Sequence, residues 1–318
     1  MNLKHGWWGL LAAVACRMLV PGASAQIEMA WSLAHNRTVL MEPVRATVKI
    51  SNYSGRDMDL TPRGNARLRF DVEDQPTSTV PTTGQPLVRR GVIIPNGDTR
   101  EVEVDLLDAY RILKGQSYML TPVLEFGGMR FMGRRLSLEV QPGLELARRD
   151  YGMPASGEAR TVTLRQIHRG RTDQLFFRID NSSTGFCLGV YELGRVIRYF
   201  VPRIELDRNG VFHVLHQTAP DRFLHSTFGY DGAPLGMTFY SAETASLRLV
   251  RDESGDVQVT GGTPFVEDPD APGMLTAPAL PPSHPYQVNI GELPLKGRPS
   301  PPRTAPSRKR TADEAVVW

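Results

Sequence analysis

Hydrophobic and polar residues alternate through the first third of the chain. The segments VRATVKI at 44–50 and RLRFDVE at 67–73 both place apolar residues at every second position. A strand with one buried and one solvated face produces this pattern, because successive side chains point to opposite faces. Turn sequences such as NYSG at 52–55 and PNGD at 95–98 separate the segments. The pattern predicts an antiparallel β-sandwich over residues 27–141.

A second β-rich region follows and contains an internal repeat. Its strand-like segments include DQLFFRID, FCLGVYEL, VFHVLHQ, RFLHSTF and LGMTFYS. An apolar residue, an Asp-x-x-Gly turn and a strand recur 45 residues apart, at Ile204, Asp207, Gly210 and Val214 and then at Leu249, Asp252, Gly255 and Val259. We interpret Asp207, Gly210, Asp252 and Gly255 as structural turn residues. The repeat predicts a β-meander domain of blade-like units over residues 145–262.

The two ends of the chain differ from this β-rich part. Residues 263–318 hold 12 of the 25 prolines and almost no alternating pattern. Such a segment buries too little apolar surface to offset its ordering entropy, which predicts a disordered proline-rich tail. The fold class expected for the chain is therefore all-β: an immunoglobulin-like sandwich, a β-meander domain and a disordered tail.

The first 25 residues have the composition of an export signal. MNLKHGWWGLLAAVACRMLVPGASA combines a short basic start, an apolar stretch and a small-x-small cleavage pattern. The apolar stretch is shorter than the roughly 20 residues of a spanning helix. We expect a signal peptide at 1–25, a periplasmic or secreted protein, and no transmembrane segment after signal removal. The alternative is a lipoprotein anchored through Cys16, which follows a degraded lipoprotein cleavage sequence.

Three short sequences in the first domain resemble those of a known group of proteins. The NYSG turn, the PNGD turn and the GQSY sequence that opens a late strand are similar to those of immunoglobulin-like modules of exported bacterial proteins, of the macroglobulin and proteinase-inhibitor type. The resemblance covers about a third of the chain. It implies a sandwich fold, and a structural role for Tyr118 whose hydroxyl would bond nearby backbone. The second domain resembles β-propeller blades.

Composition and motifs narrow the range of chemistry. The net charge of +3 and the lack of a basic stripe interleaved with aromatic residues argue against nucleic-acid binding. After signal cleavage only Cys187 remains, so no internal disulfide is expected and Cys187 is the sole candidate thiol nucleophile. Nucleophile-elbow, phosphate-loop, zinc-protease and dinucleotide motifs are missing from the sequence. We therefore expect no cofactor and a non-enzymatic role.

Three of the seven histidines lie between residues 207 and 225. If the TAPD sequence closes a hairpin with Gln217 opposite Arg222, then His216 and His225 share one face as diagonal neighbours about 7 Å apart. Two imidazoles at this spacing can reach one zinc ion, but a zinc site needs at least a third protein ligand. His216 and His225 are therefore the candidates for ligand binding, for a metal site and for a hydrolase site, and the other hypothesis is that they are ordinary half-buried histidines.

Together these features favour an exported binding or scaffolding protein of the bacterial cell envelope. Its partner would be a protein or a glycan, and a homo-oligomer is possible because incomplete blade-like units leave sheet edges to be covered. One alternative is a proteinase-inhibitor-like module that acts through a long exposed loop at 73–90. The other alternative is a hydrolase that uses His216 and His225.

Overall fold

The computed structural model describes residues 26–75, 78–154, 156–242 and 247–265. Within these residues the protein is all-β, as predicted, with one short helix. No helix in the described part is long and apolar enough to cross a membrane. The predicted signal peptide, Cys16 and the predicted tail beyond residue 265 lie outside the described residues.

Eleven strands and the helix form the N-terminal sandwich, defined here as residues 26–142. They are β1 (Gln26–Leu33), β2 (Arg37–Val39), β3 (Arg45–Tyr53), β4 (Met58–Asp59), β5 (Ala66–Gln75), β6 (Ser78–Thr79), β7 (Ile93–Ile94), β8 (Thr99–Asp105), α1 (Leu106–Ala109), β9 (Ser117–Phe126), β10 (Met129–Met132) and β11 (Leu136–Gln141).

Two sheets of this sandwich enclose one apolar core. One sheet has the strand order β1-β3-β8, and the other has the order β2-β11-β9-β5-β6 with β10 added to β9. Inward-facing residues of β3, β5, β8 and β9 meet in the core, where the rings of Trp31 and Phe70 pack edge to face at 5.0 Å. The predicted alternation is confirmed along β3, whose side chains are buried at every second position. One pairing departs from the antiparallel prediction, because β2 runs parallel to β11.

Tyr118 has the contacts that the resemblance implied. Its ring is buried in the core, and its hydroxyl donates to the carbonyl oxygen of Lys114 at 3.0 Å and accepts from the Lys114 amide at 3.2 Å. These bonds satisfy a polar group that would be costly to bury alone. Tyr118 therefore fixes the turn that leads into β9.

The other eleven strands form the C-terminal sheets, defined here as residues 143–265. They are β12 (Leu144–Gly152), β13 (Ala159–Arg169), β14 (Thr172–Asn181), β15 (Cys187–Val196), β16 (Arg203–Leu206), β17 (Phe212–Ala219), β18 (Arg222–Phe228), β19 (Pro234–Ser241), β20 (Arg248–Arg251), β21 (Val257–Thr260) and β22 (Thr263–Phe265).

Two consecutive meanders and a hairpin make up the C-terminal sheets. The sheet β12-β13-β14-β15 packs face to face against the sheet β16-β17-β18-β19-β22, and β20 pairs with β21. The rings of Phe177 and Phe228 stack across the two meanders at 3.9 Å. The predicted start of the tail at residue 263 is wrong, since Thr263–Phe265 pair with β19. Strand pairing and contact of Phe265 with Phe239 offset the ordering entropy of these residues.

The two repeated turns have equivalent geometry and touch each other. The Asp207 carboxylate accepts from the amides of Asn209 and Val211, and Asp252 accepts from the amide of Asp256. Gly210 and Gly255 have φ angles of 79° and 86°, which only glycine adopts without cost. The Arg208 guanidinium pairs with Asp256 at 3.0 Å, so the second turn is anchored to the first.

A buried ion pair joins the N-terminal sandwich to the C-terminal sheets. Arg169, the last residue of β13, donates to both carboxylate oxygens of Glu42 at 2.6 and 2.8 Å. It also donates to the carbonyl oxygen of Arg37 and to Glu192, and its guanidinium lies 5.2 Å from the centre of the Phe176 ring. Burial raises the pKa of Glu42 to about 7, although Arg169 acts in the opposite direction. We call these contacts the junction lock.

The β2–β3 connection contacts the C-terminal sheets next to the junction lock. Met41 is the only non-glycine residue of the described chain with a positive φ angle, 73°. Met41 packs against a small apolar cluster that joins Val39 of β2 to Ile167 and Cys187 of the C-terminal sheets. The carbonyl oxygen of Leu40 accepts from Arg178, which is itself held by Asp180. An unfavourable backbone conformation is maintained here because the contacts around it determine the loop.

Replacing Arg169 by Met tests the junction lock. The Glu42 and Arg169 side chains are only 8% and 10% exposed, so removal of the guanidinium leaves a buried carboxyl group without its partner. We expect a loss of about 3 kcal/mol in the free energy of unfolding, measured by urea denaturation. The double variant Arg169→Met, Glu42→Leu should recover part of the loss because no charged group stays buried.

The matched control for this prediction is Arg100→Met. Arg100 pairs with Asp98 on the surface, with side chains 57% and 39% exposed. This change should alter the free energy of unfolding by less than about 1 kcal/mol. Equal losses for the Arg169 and Arg100 variants would contradict the assignment of Arg169 to a buried lock.

Candidate functional site

The histidine hairpin forms, but with a register one residue away from the prediction. Gln217 lies opposite Phe223, and Ala219 lies opposite Arg222, so that a bulge occurs at Thr218. The predicted pairing of Gln217 with Arg222 is therefore wrong. The extra residue shifts all preceding pairs, and a shift of one residue moves side chains to the opposite face.

The shift separates the two histidines that were predicted to meet. His216 lies opposite Leu224 and is fully buried, whereas His225 lies opposite Leu215 and belongs to the other face. His216 and His225 cannot share a metal ion or form a hydrolase site together in this hairpin. The predicted constellation is corrected, because the bulge at Thr218 brings His213 to His225 instead.

His213 and His225 form a hydrogen-bonded chain with Asp207. The Nε2 atom of His213 lies 3.3 Å from the Asp207 carboxylate, and its Nδ1 atom lies 3.1 Å from Nε2 of His225. The two imidazole rings stack at 5.2 Å. A carboxylate only accepts hydrogen bonds, so Nε2–H of His213 donates to Asp207, and Nε2–H of His225 donates to Nδ1 of His213. The turn residue Asp207 thus also orients this pair.

Burial determines the charge of these groups. It lowers the pKa values of His216 and His225 to about 4, and the nearby His213 lowers the value of His225 further. Burial acts to raise the pKa of Asp207, but hydrogen bonds from the Val211 amide and His213 outweigh it, and the pKa of the carboxyl group is lowered. At neutral pH Asp207 is therefore ionised, and His216 and His225 are neutral.

The described residues contain no group of three or more His, Cys, Asp or Glu side chains arranged to hold a metal ion. Cys187, the candidate thiol nucleophile, lies buried at the start of β15. Burial raises the pKa of its thiol to about 12, although Arg178 acts in the opposite direction. A thiol with this pKa is protonated at neutral pH and does not act as a nucleophile.

The 73–90 segment is exposed in part and anchored to the sandwich core in part. Val80, Leu87 and Val88 are buried in the sandwich core, and the Thr83 hydroxyl donates to the carbonyl oxygen of Asp108 at 2.5 Å. Thr82 also forms a bridge with Tyr110. Residues 81–82, 84–86 and 89–90 are exposed, so the predicted loop is exposed between the positions at which buried apolar residues tie it to the core.

A groove that the sequence analysis missed lies beside the junction lock. It consists of two adjoining depressions of about 520 and 460 Å³ that share His168, Asp173 and Arg198 in their walls. The β13–β14 hairpin and the segment after β15 form one part of the groove, and the linker Pro142 to Leu144 forms the other. We call it the junction groove, since it is lined from both sides of the boundary at residue 142.

Charged and aromatic side chains line the junction groove. The Asp173 carboxylate lies 2.9 Å from Nδ1 of His168 and 3.5 Å from Nε of Arg198. The guanidinium groups of Arg171 and Arg195 also line the groove, and neither makes an ion pair or hydrogen bond within the described part of the chain. These residues belong to two basic segments, HRGRTD at 168–173 and RVIRYF at 195–200. The two segments are the signal in the sequence from which the groove could have been found.

Comparison with known proteins leaves the chain without an assigned family. No protein-family model matches the sequence, and no curated protein shows significant similarity to it. The sporulation control protein Spo0M from Bacillus subtilis is similar in structure, with 9% identity over 51% of this chain and 82% of its own and a TM-score of 0.23. The YadV chaperone has 10% identity over 52% of this chain and 99% of its own, with a TM-score of 0.22.

A third similar structure is the NanB sialidase from Streptococcus pneumoniae. It has 8% identity, covers 74% of this chain and 48% of its own, and gives a TM-score of 0.22. Similarities at this level assign neither a fold family nor a function to the chain.

The buried His216 should make stability depend on pH. Because its folded pKa of about 4 lies below the unfolded value of 6.5, stability is fully present above pH 6.5 and is lost as the pH falls toward 4. We expect His216→Leu to reduce the loss of unfolding free energy between pH 7 and 5 by about 2 kcal/mol. Leu224→Ala, which changes packing without removing a titratable group, should keep the wild-type dependence. An unchanged dependence in His216→Leu would refute the role of His216.

Cys187 should react slowly with thiol reagents in the folded protein. In the Cys16→Ser variant at pH 8, we expect Cys187 to react with Ellman's reagent at least about a hundredfold more slowly than an exposed thiol. The comparison thiol is introduced by Ser183→Cys, in the exposed turn before β15. Urea should remove the difference, and equally fast reaction of both thiols without urea would show that Cys187 is accessible.

Proposed function

We propose that the protein is an exported, non-enzymatic binding or scaffolding protein of the bacterial cell envelope. The observation that carries the proposal is the junction groove, a depression lined in part by charged side chains, next to the junction lock. A groove whose walls are already held in place loses little conformational freedom when a ligand binds. Arg169 lies one residue before the turn of the β13–β14 hairpin, so the lock anchors one wall of the groove.

The state of the candidate catalytic groups supports binding rather than catalysis. The Cys187 thiol is buried with a raised pKa, and His216 is buried away from His225. His213 bonds both His225 and Asp207, so one imidazole occupies the position that a nucleophile would take beside a general base. The junction groove, in contrast, contains guanidinium groups that have no partner within the described chain.

The envelope location is an expectation from the first 25 residues. Their basic start, apolar stretch and Ala-Ser-Ala ending are typical of an export signal. An exported chain encounters cell-wall polymers and other envelope proteins, and a partner from either class is consistent with a polar groove of this size.

Site-specific photocrosslinking tests the proposed function. The photoreactive residue p-benzoylphenylalanine replaces Tyr199, which is 81% exposed in the wall of the groove. After irradiation of cells that express the full chain, we expect an adduct in the envelope fraction, detected as a mobility shift and identified by mass spectrometry. Tyr199 is the preferred position because its exposed ring can be replaced without disturbing the core.

The matched control places the same residue at Tyr53 of β3, which is 52% exposed and lies on the N-terminal sandwich. This position should give no adduct or a different one. The same adduct from both positions would show nonspecific capture, and a chain found in the cytosol without any adduct would refute the proposal.

A further inference from the structure

The charge of the junction groove is predominantly positive. Its walls carry the three arginines Arg171, Arg195 and Arg198, and a single carboxylate, that of Asp173. Arg198 and His168 share Asp173, which leaves the other two guanidinium groups without a counter-charge in the described chain. A guanidinium recognises a carboxylate or phosphate through paired hydrogen bonds. The groove is therefore suited to a ligand with anionic groups.

An exposed aromatic ring follows directly after these arginines. Tyr199 is 81% exposed, so its ring is accessible to a ligand in the groove. Its ring offers a flat apolar surface with a hydroxyl at the tip, beside the guanidinium of Arg198. The C–H face of a pyranose ring can pack on such a surface, while its hydroxyl groups reach polar neighbours.

The groove also contains a hydrogen-bond acceptor. Asp173 has a carboxylate in the wall that the two depressions share. A carboxylate beside the arginines accepts hydrogen bonds from hydroxyl groups, which a sugar ring supplies. Donors, acceptors and an aromatic surface in one groove match a sugar that carries both hydroxyl and carboxylate groups.

We propose that the junction groove binds an acidic polysaccharide, a polymer of uronic acid residues. Arg171 and Arg195 pair with the carboxylates of the polymer, Tyr199 packs against a sugar ring, and Asp173 accepts from its hydroxyl groups. This inference rests on the proposed binding function and specifies the ligand class at the same groove.

Affinity electrophoresis of the full chain tests the inference, with polygalacturonate of defined length as the probe. We expect retardation in gels that contain polygalacturonate, and much weaker retardation with neutral dextran, poly-L-glutamate or single-stranded DNA of similar length. Raising the salt concentration should weaken the binding, because the arginine–carboxylate pairs are solvent-exposed.

Three variants connect the binding to the groove. Tyr199→Ala should weaken the affinity for polygalacturonate about tenfold by loss of the stacked ring. The double variant Arg171→Gln, Arg195→Gln should weaken it by a similar factor or more, and should remove most of its salt dependence. The control Tyr53→Ala, together with Arg100→Gln, removes an exposed tyrosine and a surface arginine of the N-terminal sandwich and should leave the affinity unchanged.

Several outcomes would overturn the inference. Equal retardation by dextran would remove the role of the carboxylates, and equal retardation by poly-L-glutamate or single-stranded DNA would show general anion binding. Wild-type affinity in both groove variants would place the site elsewhere. If no polymer binds but the Tyr199 crosslink still captures an envelope partner, the inference fails and the proposed binding function stands. If the crosslink also fails, both are wrong.

Discussion

The bidentate contact between Arg169 and Glu42 is the interaction on which the arrangement of the described chain depends. It is the point where a strand end of the C-terminal sheets meets a loop of the N-terminal sandwich. Burying two charges is expensive, and the cost is offset only when the remaining donors and acceptors are satisfied. Arg169 meets that condition with bonds to a carbonyl oxygen and a second carboxylate and with a ring contact to Phe176. An ion pair of this kind contributes more to orientation than to net stability.

The junction lock has consequences for the surface beside it. Arg169 ends β13, and the hairpin that follows begins the wall of the junction groove with Arg171 and Asp173. Arg165, also on β13, donates to the carbonyl oxygen of Pro142 in the linker that forms the opposite part of the groove. The same strand therefore holds both the junction and the groove. The junction lock and the junction groove thus share one structural support.

The histidine hairpin shows how one residue decides which side chains meet. The sequence places His213, His216 and His225 on two paired strands, and this part of the prediction agrees with the structure. The bulge at Thr218 then determines which of them share a face. Its position depends on how the TAPD turn closes and on the buried contacts of the neighbouring strands, which the spacing of histidines does not contain. The bulge produces the hydrogen-bonded chain of His225, His213 and Asp207. The sequence had identified Asp207 only as a turn residue.

The sequence by itself determined the local features of this protein. Alternation of apolar residues identified the all-β class and the strands of the sandwich, and the repeated Asp-x-x-Gly sequences located two turns whose geometry depends on near neighbours. These features are local because a strand and a turn are specified by residues a few positions apart. Only the tertiary structure decided the parallel pairing of β2, the register of the histidine hairpin, the anchoring of the 73–90 segment and the partners of Arg169. Each of these features joins residues that are far apart in the chain. An arginine or histidine in a sequence does not reveal which distant group will satisfy its hydrogen bonds once water is excluded.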